Sequence, residues 1–342
     1  MSFKHSLSAI IAIVATVAIC SCKKEEETTY LYLDGYPSFT VDPFLSRGST
    51  VVLTPNPVEL NKDAEEGTTV GYYWTISALA EDRDTSAFDD GHFTYTFDKD
   101  TIGTFTIGCT AFAKGHYTAS ATASITLVRA GLMDGSISGV FLKIDDGVFV
   151  DDREGQPNED QEYYYTVIGG KTWMKENLAY TALETPYGVP YINCEAMNHV
   201  FGRYYSWEEA NKVCPTGWHL PTEAEWLAAA QTVKSDLVLE EDWDGVAGAF
   251  MIYAYFNGDE FWEWWPSVKA NNSTGFSALS VGMCNLGDKN FGGVTKSACF
   301  WTADEYNTEK AIYRYLVDDQ PIIYRGVGDK KNFGASVRCV KD

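Results

Sequence analysis

The chain reads as two β-rich domains in series, an all-β sandwich followed by an α+β domain, behind a short export leader. Three observations predict this. Residues 31–130 alternate apolar and polar side chains in short runs separated by turn signals. Residues 161–342 mix short strand-like runs with two helix starts, each a capping residue followed three positions later by glutamate. A length of 342 residues also suits two domains better than one.

The leader comes first. Lys4 and His5 precede an apolar run from Leu7 to Ile19, then Cys20-Ser21-Cys22 and a charged Lys23-Lys24-Glu25-Glu26-Glu27. A basic start with an apolar core of about a dozen residues is a secretory signal, too short to span a membrane comfortably. The cysteines closing that core resemble a bacterial lipobox, and Cys22 fits better than Cys20 because small Ser21 precedes it. The resemblance implies removal of residues 1–21, a lipid anchor on Cys22 and a polar tether over 22–30. An ordinary cleaved signal is the alternative. The charged tether is similar to those of exported Bacteroidetes lipoproteins, which implies an outer-membrane lipoprotein on the cell surface or the periplasmic face. No later apolar run reaches spanning length, so the lipid is the one membrane contact expected.

Composition narrows the partners. With 48 acidic against 26 basic residues the net charge is −22, which excludes a nucleic-acid partner because a phosphate backbone needs Lys/Arg patches. Aromatics make up 14%, with 10 Trp and 21 Tyr, enough to supply stacking surfaces for sugars as well as cores. Beyond the leader stand Cys109, Cys194, Cys214, Cys284, Cys299 and Cys339. An exported chain meets an oxidising compartment, so disulfides are permitted. None of the spacings is the CxxC type of a zinc site. Cys109, alone in the N-terminal half, reads as a buried thiol, and among the other five at least one lacks a partner.

The first domain, 31–130, is built from strands expected at Tyr30–Leu33, Thr50–Thr54, Val70–Ser77, Phe93–Phe97, Gly103–Ala111 and Ser120–Val128. Their number and turn spacing predict an antiparallel sandwich. Tyr72-Tyr73-Trp74 followed by GTFTIGCTA resembles bacterial immunoglobulin-like and polycystic-kidney-disease-type repeats. That implies Trp74 between the sheets, Cys109 near it, and a spacer role. Residues 131–160 read as a linker and lead-in rich in Gly and Asp. Asp145-Asp146-Gly147 and Asp151-Asp152-Arg153-Glu154-Gly155 do not match a calcium loop and read as solvated turns.

The second domain, 161–342, opens with YYYTVIGGKTWMKENLAY, two strands joined by a Gly-Gly hairpin turn. Ser206 then caps a helix to Val213, with Glu209 completing a capping box. Trp207, Ala210 and Val213 or Cys214 share its inner face, and Pro215 stops it. Thr222 and Glu225 repeat the box for a second helix, with Leu220 and Trp226 as a hydrophobic staple. Glu225 and Thr222 are thus capping groups rather than catalytic ones, and lone His219 is structural.

YTVIGGKTWMKENLAY, YYSWEEANKVCPTGWHLPTEAEW, GFSAL (275–279), FWTADE (300–305) and SVRCVKD at the end occur in that order. Together they resemble the Fibrobacter succinogenes major paralogous domain. The resemblance implies a C-type-lectin-like fold whose last strand returns beside its first. It further implies a disulfide from Cys214 to Cys339, with a second bond guessed between Cys284 and Cys299 and Cys194 left free. LPTEAEW is also similar to formylglycine-generating enzymes, but their RGGSW-like segment and close copper-binding cysteine pair are absent, which argues against an oxidase.

No GxSxG elbow, HExxH or P-loop is present, so an enzyme of unknown type is the least favoured reading, and no metal or cofactor is expected. The stretch 240–272, expected as a long irregular loop, interleaves rings and carboxylates. Its candidate ligand-binding residues are Trp243, Tyr253, Tyr255, Trp262, Trp264, Asp259 and Glu263. Flat rings beside carboxylates suit a glycan, through stacking and hydroxyl hydrogen bonds. Trp262 and Trp265 read more as core, and Trp264 as the better exposed. The Glu-Pro-Asn and Trp-Asn-Asp triplets of calcium-dependent lectins are missing. The expected function is a non-catalytic surface lipoprotein that binds glycan or a protein partner. A structural component of the envelope or fimbriae is the alternative.

Overall fold

The computed structural model describes residues 29–77, 85–87, 91–129, 137–139, 146–154, 156, 161–256 and 258–342. The expected leader, Cys22 and most of the tether lie outside them. Strands in several sheets dominate the described chain, with helices confined to short segments of which Trp207–Val213 and Glu223–Gln231 matter most.

In the N-terminal part, five strands lie in the order Phe44–Ser46, Ala119–Val128, Gly103–Phe112, Gly71–Ser77 and Thr85–Ala87. Thr50–Leu53 pairs separately with Phe93–Thr96. Val51, Leu53 and Phe93 of that pair share one buried cluster with Trp74, Ile76, Ile107 and Ile125 of the sheet. Alternation is what makes this possible, since every second side chain of a strand points the same way. Trp74 stands opposite Cys109 in register, and both are fully buried. Its ring stacks on Phe93 at 5.1 Å, and its indole N–H donates to the Gly91 carbonyl at 2.9 Å.

The pairing is not wholly antiparallel as expected. Phe44–Ser46 runs parallel to Thr126–Val128, and Leu31–Tyr32 runs parallel to His116–Tyr117. Phe44–Ser46 has three residues, too few to display a period, whereas Leu31–Tyr32 falls within the expected strand Tyr30–Leu33.

The C-terminal part holds two principal sheets. One orders Val148–Asp151, Gln161–Ile168, Lys171–Met174, Val340–Lys341 and Trp218–His219, so the last strand lies beside the early hairpin. The hairpin turn is Gly169-Gly170, both at positive φ. A Cβ on Gly169 would come within 2.7 Å of the Ala228 backbone, so the turn is packed against the second helix and requires glycine there. The larger sheet carries Trp243–Asp244, Ile322–Asp329, Lys310–Val317, Ser297–Glu305, Val281–Asn285 and Asn290–Val294 in that order. Both capping boxes form, at Ser206/Glu209 and Thr222/Glu225. The staple does not, because Leu220 and Trp226 enter separate clusters. Nor is Asp151 a solvated turn residue: it is buried and held by Arg153 and Gln156.

The two parts are joined by more than chain. Ile137–Gly139, within the stretch expected as linker, pairs with Ala254–Phe256, and Val148–Asp151 is the edge strand of the C-terminal sheet. The Phe44 ring packs on Tyr191 and Phe256, and the buried Cys194 thiol donates to the Phe44 carbonyl at 2.9 Å. Cys214 at the helix end is bonded to Cys339 across a sequence separation of 125. Cys284 and Cys299 are both free, contrary to the guessed bond. Gly282 pairs with Ala298, so alternation sends Cys284 into the cluster of Phe300 and Ala298 and Cys299 into the cluster of Trp301 on the opposite face.

Candidate functional site

The five sequence motifs meet in the core rather than at a surface. Trp173, Trp226, Phe276 and Phe300, one from each of four motifs, form a buried aromatic knot with ring centroids 5.1–5.9 Å apart. Arg338 of the fifth lies fully buried beneath it. Its guanidinium donates to Asn177 Oδ1 at 2.6 Å and to the carbonyls of Met174, Phe276 and Ser277. Burial pushes this guanidinium down to about 9, so it stays charged at neutral pH.

A second buried cation was not foreseen. Glu223, at the first turn of the second helix, accepts from Arg314 at 2.6 Å and from Arg325 at 3.0 Å. Arg314 is fully buried, lies 3.6 Å above the Trp243 ring and is pushed down to about 10 by burial. His219 likewise has carboxylate partners that spacing did not reveal, namely Glu225 at 3.0 Å and Asp342 at 2.6 Å. These groups clamp helix starts and strand ends to one another.

The opening suited to a ligand is a cavity of about 310 Å³ lined by Met251, Tyr253, Trp262, Glu263, Trp264 and Asp318, with Val268–Ala270 completing the wall. Local structure places each part. The Trp265 carbonyl accepts from the Val268 amide at 3.1 Å, turning the chain so that Trp264 projects, 69% exposed. Ser267 Oγ donates to the Asp319 carbonyl, pinning this turn to the Asp318–Asp319 turn. Lys296 bridges Glu263 and Asp318, the latter at 3.0 Å, and these two carboxylates raise its ammonium. The Trp265 indole donates to the same Asp318 oxygen at 3.3 Å. The result is an aromatic wall beside two carboxylates whose charge is half offset by one ammonium.

Of the sequence candidates, Tyr253, Trp262, Glu263 and Trp264 come together in this wall. Tyr253 is 40% exposed and shares a hydroxyl contact with Tyr255, which reaches Glu260 at 3.3 Å. That contact, with burial and Glu260, pushes the Tyr255 hydroxyl up to about 12. Trp262 is buried and offers the cavity an edge, its N–H spent on the Ala278 carbonyl. Three candidates do not line the cavity. Tyr255 touches it only through Tyr253, Trp243 is fully buried in the strand paired with Ile322–Ile323, and Asp259 is exposed away from the cavity lining. The stretch 240–272 is also more regular than expected, since it contains strands and the helix Ala247–Phe250. Trp265, expected in the core, is part-exposed. Asp318 and Lys296 were missed because they join the site only through tertiary structure, whereas Lys269 lies within the 240–272 stretch and was passed over because attention fell on its rings and carboxylates.

Among solved structures, the Yersinia pseudotuberculosis adhesin InvE is similar at 11% identity over 91% of this chain and 70% of that one, with a TM-score of 0.26. A likeness of that size supports no conclusion about fold or function. No curated protein matches the chain. The family comparison does bear on it: the Fibrobacter succinogenes major domain matches residues 167–341, which include the aromatic knot, Arg338 and the cavity. By that match the chain belongs to the Fibrobacter succinogenes major domain family.

Proposed function

We propose that this protein is a non-catalytic, surface-displayed outer-membrane lipoprotein that binds glycan in the cavity walled by Trp264. In this reading Cys22 carries the lipid. Residues 31–130 form an immunoglobulin-like sandwich that raises the binding module, and 161–342 adopt a C-type-lectin-like arrangement. The observation that carries the proposal is the exposed Trp264 ring forming one wall of a 310 Å³ cavity beside Tyr253, Glu263 and Asp318. A sugar's C–H face stacks on such a ring while its hydroxyls donate to the carboxylates. Because Lys296 bridges Glu263 and Asp318, these groups serve as fixed acceptors rather than a free acid–base pair.

A glycan array probed with the full chain tests this. The expected result is a specific glycan signal that falls about tenfold or more in affinity with Trp264→Ala while the fold is retained. An empty array, with an envelope protein captured through the same tryptophan, sinks the glycan reading in favour of a protein partner.

A further inference from the structure

The cavity beside Trp264 holds a carboxylate that is nearly buried and only half used. The Asp318 side chain is 9% exposed. Its Oδ2 accepts from the Lys296 ammonium at 3.0 Å and from the Trp265 indole at 3.3 Å. Its Oδ1 accepts no hydrogen bond among the described residues, yet it is not sealed from solvent, and Asp318 lines the cavity. A fixed acceptor without a donor is unfavourable, and a ligand that donates to it removes that penalty. Lys269 is the complement. It lines the same cavity, is exposed, and its ammonium makes no ion pair among the described residues. Its backbone is pinned to the helix Ala247–Phe250. The Asn271 amide donates to the Gly248 carbonyl at 2.9 Å, and the Lys269 carbonyl leaves no room for a Cβ on Gly248.

These groups set the ligand's charge. Glu263 and Asp318 bring two negative charges, and Lys296 and Lys269 bring two positive ones, so the site as a whole is neutral. A uronate would set its carboxylate against Glu263 and Asp318, and an amino sugar would set its ammonium against Lys269 and Lys296. A hydroxyl both donates and accepts, so a pair of hydroxyls serves an unpaired oxygen and an unpaired ammonium without adding charge. We infer that the cavity selects uncharged sugars, Asp318 Oδ1 accepting from one hydroxyl and Lys269 Nζ donating to another while the ring stacks on Trp264. This rests on the glycan reading and narrows it to a neutral class. A site built on a fixed acceptor rejects a ligand that lacks the matching hydroxyl, because the acceptor is then left unpaired.

The test is calorimetric titration of the full chain in about 0.15 M salt, which screens distant charges. The probes are cellohexaose with glucosamine hexamer, which share one backbone, and mannohexaose with mannuronate hexamer, which share another. Only binding that Trp264→Ala removes is counted. A neutral hexaose is expected to bind about tenfold or more tighter than its charged counterpart. Lys269→Gln, an exposed change, should shift that ratio about tenfold toward glucosamine hexamer, and Asp318→Asn about tenfold toward mannuronate hexamer. A merely structural role for either residue would weaken all four probes alike. If Asp318→Asn does not fold, Lys269→Gln carries the test alone. A charged hexamer that matches its neutral counterpart on the wild type overturns the inference and leaves the glycan reading standing. No Trp264-dependent binding by either neutral hexaose overturns it too, and the glycan array then decides whether that reading falls with it. Folded variants that keep the wild-type preference also overturn it.

Discussion

Replacing both Cys214 and Cys339 by alanine removes one covalent link and leaves the native arrangement around it standing. The last strand is held independently: Met174 N donates to the Cys339 carbonyl, Val340 pairs with both Trp173 and His219, and Arg338 makes four hydrogen bonds beside it. The effect of the change therefore falls on the unfolded chain, which regains the freedom of a loop closed across 125 positions. Chain-entropy reasoning puts that freedom at about 5 kcal/mol at 25 °C. Denaturant unfolding of the double variant should show a midpoint lowered accordingly, with a steeper slope because the open unfolded chain exposes more surface. Wild-type protein unfolded in the presence of dithiothreitol is the control. It lacks the bond but keeps both sulfur atoms, so agreement between the two excludes a packing defect. A loss under about 1 kcal/mol in both, with native spectra retained, would refute the reasoning.

Two further outcomes follow from the same structure. Burial alone would raise the Glu225 carboxyl, but the Thr222 amide, His219 and the Thr222 hydroxyl outweigh it and hold it below its ordinary value. Its contribution to stability is therefore complete above the unfolded pKa of about 4.5 and is lost as pH falls through the lower folded value. Glu225→Gln, which can still cap, should be less stable than wild type at pH 6, and the gap should close in acid; a gap constant down to pH 2 contradicts the linkage. Phe44→Ala loosens the seam between the two parts and should cost about 1–2 kcal/mol, since the ring is only part-buried. Alkylation of Cys194, whose thiol donates to the Phe44 carbonyl, should accelerate while that of Cys109 does not; equal rates for both would mean the seam does not guard the thiol.

Legibility tracked the range of the interaction. Capping boxes were readable because Ser206 and Glu209, or Thr222 and Glu225, meet within one turn of chain. The Gly-Gly hairpin was readable for the same reason. Strand alternation located the N-terminal sheet, but it could not place Phe44–Ser46, whose three residues are too few to show a period. The Cys284–Cys299 guess failed on a face: spacing says how long a loop is, and only register says which side of the sheet each thiol enters. The cavity beside Trp264 was half legible. Tyr253, Trp262, Glu263 and Trp264 are near one another in sequence, whereas Lys296 and Asp318 arrive on two turns of the larger sheet.

The same logic separates recognition of the family from recognition of a ligand. Trp173, Trp226, Phe276, Phe300 and Arg338 are the residues that make the motifs conspicuous, and all five are fully buried. Their rings contact one another and Arg338 satisfies backbone carbonyls around them, so none has a surface left to offer a partner. Trp264, Lys269 and Asp318 lie outside every motif and line the cavity, and Lys296, also outside them, bridges Glu263 to Asp318. A change at the knot should thus move stability and leave ligand choice alone. A change at Trp264 should do the reverse, because its ring is 69% exposed and lies outside the core, unlike the buried wall residues Met251, Trp262 and Val268.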